Sequence, residues 1–454
     1  MTAGRGILVA GAGSGTGKTS LACGLLRALR DRGVTVRAAK CGPDYLDPMW
    51  LARASGGDCP NLDPWMSGPE GVRTLARGAG TLVVEGAMGL YDGIRPDSDE
   101  GSAAQVARLL GLPVVLVLDA SGSARTVAAV VRGLRDFGDL PIAGVVANRV
   151  GSAGHAALVS EALASSGLPP LLGFVGKNAF PSLPERHLGL VPPAGSEGDE
   201  ILREMGRVVA DCIDLDRLLS LCASLPAPPE EDPPAFAGRG LRLGLSWDDA
   251  FRFAYGPVVE GLRTRGVEVV RFSPLADPVL PPDLDGLWLC GGYPEVHAAT
   301  LEANGSMRES VAGFCRSTRP VLAECGGLLY LATEIVDQAG GRHAMCGVVP
   351  AIARMGDRLR SLGYRTATAR EDLFVASCGQ TLRGHEFHYG TLEGSWLADW
   401  RPAYELGGSR GAMGPEGWWN GSVLATWFHG WLVSGDALER WIAAMRAARE
   451  RTTA

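Results

Sequence analysis

"ILVAGAGSGTGKTS", Ile7 to Ser20, passes from a short apolar run through alternating glycines into Gly17-Lys18-Thr19. The apolar run reads as a buried strand, and "KTSLACGLLRALRDRG" after it reads as a helix closed by Gly33. Between them, Gly13, Gly15 and Gly17 form a loop whose backbone N–H groups, with the helix N-terminus, can cradle phosphates. In that setting Lys18 reaches the β- and γ-phosphates of ATP, and the Thr19 hydroxyl is placed to ligate Mg²⁺. The spacing is a variant one: Ala12 stands five residues before Gly17, with Gly11 one further back.

The same alternation of short apolar run and longer amphipathic stretch continues outward from this loop. "TLVVEGA", "PVVLVLDA" and "IAGVVANRV" are β-branched and almost continuously apolar, as in a parallel sheet covered on both faces. "LRLGLSW", "VEVVRFSP", "GLWLCGG" and "RPVLAEC" repeat the theme in the second half. Two doubly wound α/β domains are expected, because 454 residues are too many for one ordinary core. The prolines and acids of "LPAPPEEDPPAFAGRG" cannot sustain a helix or a central strand. The expected division is therefore residues 1–225, a linker at 226–239, and residues 240–454.

Composition narrows the function classes. Hydrophobic residues make up 46% and charged residues 20%, as in a globular chain, and the net charge of −7 gives no footprint for nucleic acid. No apolar run reaches membrane-spanning length and the start lacks a secretory pattern, so a cytoplasmic protein without membrane partners is expected. The ten cysteines are scattered with no Cys-x-x-Cys pair, which argues for reduced thiols over metal sites or disulfides. Of 43 basic residues only Lys18, Lys40 and Lys177 are lysine, and the first two fall in or near the phosphate loop's company.

Further acids and bases suit the same site. "AAKCGPDYLDP" supplies Lys40, Asp44 and Asp47 on a loop after a short strand. "TLVVEGAMGLYDG" ends an apolar strand in Glu85, with Asp92 beyond. An acid at the carboxyl end of a buried strand needs a partner, and Mg²⁺·ATP is one.

The second chemistry centres on "RPVLAECGGLLYLA". Cys325 follows a strand-like run and precedes Gly326-Gly327, the pattern of a sharp strand-to-helix turn that presents an exposed nucleophile. A helix N-terminus there is expected to lower the thiol pKa. Packing is the competing reading, since free cysteine is a small hydrophobe. Gly291 and Gly292 end another strand, and their N–H groups, with Gly326, are candidates for an oxyanion hole. A base has to be a histidine, and His429, His385 and His388 all lie in strand-like surroundings.

The phosphate loop's spacing resembles that of the dethiobiotin synthetase-like ATPases. Over nearly the whole chain, "KCGPDYLDPMW", "NLDPWMSG", "VEGAMGLYDG", "ANRVGSAGH", "LPERHLGLVPP", "GGYPEVHAATLEAN", "AECGGLLYL", "LGYRTA" and "GHEFHYG" resemble, in order, the cobyrinic and hydrogenobyrinic acid a,c-diamide synthases. The resemblance implies an N-terminal ATP-dependent amide-forming domain and a C-terminal class I glutamine amidotransferase domain. It implies Cys325 as nucleophile on L-glutamine and His429 as base and acid. It also implies a corrinoid substrate, Asn148 at the adenine edge, and Lys40, Asp44, Tyr45, Leu46 and Asp92 near the reacting carboxylate. Thr19, Glu85 and Asp44 become the Mg²⁺ ligands, and a homodimer is expected. Trp431 stands where many class I amidotransferases have a glutamate, which reduces the expected site to a Cys–His dyad. Cobyric acid synthase and nickel-sirohydrochlorin a,c-diamide synthase are the neighbouring enzyme readings. A ParA-like ATP switch with a degenerate second domain is the non-enzymatic one, disfavoured because Lys18 and Cys325 are both present.

Overall fold

A computed structural model describes residues 4–183, 185–186, 189–190, 195–226, 237–394, 396, 399–409 and 411–453. The chain divides into two compact units, Met1–Glu231 and Asp232–Ala454. Residues 227–236 of the expected linker, and Pro184, His187 and Leu188 of the "PERHLG" stretch, lie outside the described residues.

In the first unit, β1 (Arg5–Gly11) is followed by α1 (Lys18–Asp31), β2 (Val36–Cys41), α2 (Leu46–Ser55), β3 (Asn61–Leu62), α3 (Pro64–Leu75) and β4 (Thr81–Glu85). The pattern continues through α4 (Ala103–Leu110), β5 (Val114–Asp119), α5 (Arg125–Gly138), β6 (Ile142–Val150), α6 (Ala153–Ser165), β7 (Leu171–Gly176) and α7 (Gly195–Cys212). The strands run in the order β3-β2-β4-β1-β5-β6-β7, all parallel to their neighbours, with Ala223–Ser224 antiparallel to the start of β1. Alternate residues of β1 supply two cores. Ile7 and Val9 pack with Leu25, Leu26, Met205 and Val209, while Leu8 and Ala10 pack with Val106, Leu110, Val131 and Val159. Burial on both faces is why the strand has no polar alternation.

This order places the site. β1 lies between β4 and β5, and in register Val9 faces Glu85, which in turn faces Lys40 on β2. The loops leaving the carboxyl ends of β1, β2, β4 and β6 therefore open on one edge of the sheet, where such folds bind ligands.

The second unit carries a six-stranded sheet in the order Glu268–Phe272, Arg242–Ser246, Gly286–Leu289, Val321–Glu324, Val423–Thr426, Trp418–Trp419, parallel except for the last strand. Chain inserted between Glu324 and Val423, with one strand from beyond Thr426, also builds a five-stranded antiparallel sheet that a doubly wound domain does not include. It contains Ser361–Ala369, Thr381–His388 and His429–Gly430, so "GHEFHYG" lies on a strand paired directly with His429. Among the described residues no helix is long and apolar enough to cross a membrane.

Gly24 of α1 shows how tightly the first unit is packed. A Cβ there would lie 2.6 Å from Val209 Cγ2 and 2.7 Å from the Met205 carbonyl oxygen on α7. Alanine gains up to about 1 kcal/mol of helix propensity, but a backbone oxygen cannot move aside cheaply. We expect Gly24→Ala to destabilise the first unit by about 1–3 kcal/mol, read as a lower midpoint in calorimetry; a raised midpoint refutes the close-packing account.

Candidate active sites

At the sheet edge of the first unit, α1 begins at Lys18 after Gly17, whose φ of 93° is left-handed. No side chain caps this helix start, which leaves its N–H groups open to a ligand. Position 17 also tolerates nothing larger, because a Cβ would lie 2.2 Å from Asn148 Nδ2. Lys18 Nζ donates to the Gly13 carbonyl at 2.7 Å, folding the ammonium back over its own loop. Thr19 Oγ1 donates to Glu85 Oε1 at 2.6 Å. Lys40 Nζ lies 3.0 Å from the same oxygen and 2.7 Å from Asp47 Oδ2.

Glu85 has no exposed surface, and its Oε2 has no hydrogen-bond partner among the described residues. Burial pushes its carboxyl up to about 7, against the pull of Lys40 and Thr19. Burial alone would depress Lys40, but Glu85, Asp47 and Asp44 outweigh it and hold the ammonium well above its ordinary value. Lys18 is lowered, first by burial and then by Lys40. A cavity of about 520 Å³ opens here, lined by Gly15, Gly17, Lys18, Thr19, Asp47 and Asn148, and closed opposite by Asn178–Leu183. That volume suits a nucleotide-sized ligand.

The expected residues divide in their placement. Asp44 Oδ1 accepts the Leu46 and Asp47 N–H groups at 2.8 and 3.0 Å, so Asp44 caps α2, with Tyr45 and Leu46 at that helix start. Asp47 is the acid that meets Lys40 and lines the cavity. Asp92 Oδ2 accepts the Gly89 N–H at 2.8 Å, shaping a turn that packs on Ala12. Asn148 Nδ2 donates to the Thr16 carbonyl at 2.9 Å, tying β6 to the phosphate loop. The segment Asn178–Leu183 escapes sequence reasoning: it carries no motif, and only the fold carries it to the cavity.

In the second unit the elbow is present in strained form. Cys325 follows the strand Val321–Glu324, opens the helix Gly326–Leu331, and has φ 48° and ψ −99°. A Cβ at Gly326 would lie 2.8 Å from the Gly292 nitrogen, and one at Gly291 would lie 2.5 Å from His429 Cε1. Gly291, Gly292, Gly326, Cys325 and His429 thus share one small region.

Two expectations about the thiol need correction. Cys325 is buried, at 7% exposure, and burial pushes its pKa above the ordinary thiol value, with Glu295, Glu324 and Glu386 adding to the rise. The Gly326 N–H opposes this but does not prevail. One favourable helix dipole is outweighed by desolvation and three acids. Sγ–H is directed to the Phe387 carbonyl at 3.7 Å. His429 is pushed down to about 3 by burial, then by His385 and His388. Both shifts run the same way, favouring an uncharged thiol and an uncharged imidazole.

Among the competing histidines, His388 stacks on Trp427 at 4.1 Å and its Nδ1 meets the Gly390 carbonyl at 2.9 Å. His385 is buried opposite His429 in the antiparallel pair and is pushed down to about 3. Trp431, at the position where a triad glutamate would stand, packs its ring on Tyr255 at 5.1 Å.

Residues 7–191 match the CobQ/CobB/MinD/ParA nucleotide binding domain, and residues 244–437 match the CobB/CobQ-like glutamine amidotransferase domain. A cobyrinate a,c-diamide synthase of Syntrophotalea carbinolica is 43% identical over 436 residues, covering 93% of this chain and 94% of the relative. A hydrogenobyrinate a,c-diamide synthase of Streptomyces coelicolor is 43% identical over 429 residues, covering 85% and 87%. A cobyrinate a,c-diamide synthase of Priestia megaterium is 36% identical over 458 residues, covering 98% of each. The chain belongs to this a,c-diamide synthase family. Both α/β units of the family are therefore present, the nucleotide-binding one first and the amidotransferase one second.

Two outcomes test the electrostatics. Lys40→Met leaves Glu85 and Asp47 without their cation, and we expect a loss of about 3–5 kcal/mol in the first unit's calorimetric transition. An unchanged transition would mean that the pair is not buried as described. In the second unit, iodoacetamide should label Cys325 more slowly than exposed Cys378 at neutral pH and gain as pH rises, followed by peptide mass spectrometry. Preferential labelling of Cys325 at neutral pH would contradict its raised pKa.

Proposed function

We propose that the protein amidates the a and c acetate carboxylates of cobyrinate or hydrogenobyrinate, using ATP and the amide nitrogen of L-glutamine. The observation that carries this reading is the coexistence, in one chain of this family, of an intact phosphate loop with the Thr19–Glu85–Lys40 cluster and a Cys325–His429 elbow.

At the second unit His429 takes the Cys325 proton as sulfur attacks the glutamine Cδ, with the Gly291, Gly292 and Gly326 N–H groups receiving the oxyanion. The C–N bond breaks as His429 returns the proton to the leaving nitrogen, ammonia departs, and a γ-glutamyl thioester remains. Water then releases glutamate and restores the thiol. At the first unit a substrate carboxylate oxygen attacks the γ-phosphorus of ATP, ADP leaves, and an acyl phosphate forms. Ammonia attacks the acyl carbon, phosphate leaves, and the amide results.

Lys18 and the loop N–H groups hold the phosphates, and Asn148 keeps the loop in shape. Thr19 and Glu85 would hold Mg²⁺, with Asp47 nearer the cavity than Asp44. The fit rests on hard oxygen donors and on the unpartnered buried Oε2 of Glu85. When bound, the ion supplies charge neutralisation at the phosphates. Lys40, held between Glu85 and Asp47, keeps that acidic site from standing uncompensated. The same reading includes a cytoplasmic homodimer acting on a small-molecule substrate, with no attraction to nucleic acid at a net charge of −7.

The test incubates purified protein with ATP, Mg²⁺, glutamine and cobyrinate, hydrogenobyrinate or nickel-sirohydrochlorin, and reads products by mass. We expect two successive one-amide increments on a corrinoid; no amidation of any of them sinks the reading. Cys325→Ala should abolish glutamine-driven synthesis and retain synthesis from added ammonia, whereas unchanged glutamine use would move the nucleophile elsewhere.

A further inference from the structure

Glu324 immediately precedes the nucleophile and is 4% exposed. Its two oxygens are both occupied, and by donors only. Oε2 accepts the Trp288 indole N–H at 2.9 Å, and Oε1 accepts the Gly430 backbone N–H at 3.0 Å. Gly430 immediately follows His429, so this carboxylate joins the residue before the nucleophile to the residue after the base.

The backbone repeats the connection. Cys325 N–H donates to the Thr426 carbonyl at 2.7 Å, and Thr426 lies three residues before His429. The segment Thr426–Gly430 is thus held from Cys325 at one end and from Glu324 at the other. Trp288 sits on the strand leading to Gly291 and Gly292, so its indole adds the oxyanion loop to the same carboxylate. Glu416 grips the far side of the segment through Thr426 Oγ1 at 2.6 Å and Trp427 N–H at 2.7 Å. Trp431, two residues after His429 in sequence, packs its ring on Tyr255.

We propose that Glu324 is the positioning residue of the Cys325–His429 dyad, fixing His429 through the Gly430 backbone and the oxyanion loop through Trp288. This rests on the glutaminase reading above and adds to it a third member that touches neither glutamine nor the reacting atoms. Each partner can only donate, so the side chain must accept twice, which a carboxylate does with one oxygen for each. A glutamine side chain at this position has the same shape but one acceptor and one NH₂ group. Either Gly430 or Trp288 would then face a donor, leaving two buried N–H groups opposed.

The experiment measures glutamine hydrolysis by full-length wild type, Cys325→Ala, Glu324→Gln, Trp288→Phe and the double variant Glu324→Gln/Trp288→Phe. Hydrolysis by wild type and its loss in Cys325→Ala establish the underlying reading; hydrolysis surviving in Cys325→Ala defeats that reading independently of Glu324. For Glu324→Gln we expect kcat to fall on the order of 100-fold, the cost of a misplaced base, with KM for glutamine and ammonia-driven synthesis little changed. Removing the indole donor frees the introduced amide oxygen for Gly430, so the double variant should recover about tenfold over Glu324→Gln, one hydrogen bond's worth. A Glu324→Gln enzyme with wild-type kcat overturns the inference. So does a double variant no better than Glu324→Gln, which would leave Glu324 a core residue only, even if Glu324→Gln alone proves inactive.

Discussion

A buried carboxylate at a strand end organises each half of this protein. In the first unit it is Glu85, without exposed surface at the close of β4, sharing one oxygen between the Thr19 hydroxyl and the Lys40 ammonium. Taking a carboxylate out of water is costly unless charge and hydrogen bonds replace the lost solvent. The structure replaces it from both neighbouring strands, the phosphate loop after β1 and the end of β2. The requirement to satisfy Glu85 therefore draws the loop, the lysine and Asp47 to one point.

Glu324 stands in the corresponding place in the second unit, at the end of the strand that delivers Cys325. Its partners are neutral N–H groups in place of a cation, and burial pushes its carboxyl up to about 7 against their pull. Around it the environment favours uncharged groups, with the Cys325 thiol raised and the His429 imidazole pushed down to about 3. The two sites thus solve opposite problems. One collects charge around Glu85, and the other keeps its thiol and imidazole buried and uncharged.

The parts read most easily from sequence are those whose chemistry is local. Glycine at 17 is required by a left-handed backbone angle, Lys18 and Thr19 follow from helix geometry, and Cys325 is marked by the glycines that let a strand turn sharply. The parallel strands were legible because burial on two faces removes polar alternation. The resemblance singles out Asp44, whereas the start of α2 has Asp44 capping and Asp47 facing Lys40, a division that only the helix start decides. The thiol's protonation is not legible in the motif, because a dipole shows there while desolvation and distant acids do not.

By itself, then, the sequence determined two α/β units, a phosphate loop, a nucleophile elbow and the residues that can do chemistry in each, because those depend on periodicity and on backbone angles open to few residue types. The tertiary structure decided how they are used. Asn178–Leu183 reaches the nucleotide cavity, and His429 lies opposite His385, only through strand pairings remote in sequence. Glu324 joins Gly430 across 106 positions of chain. Burial, which no single residue announces, then sets which of those groups carry charge.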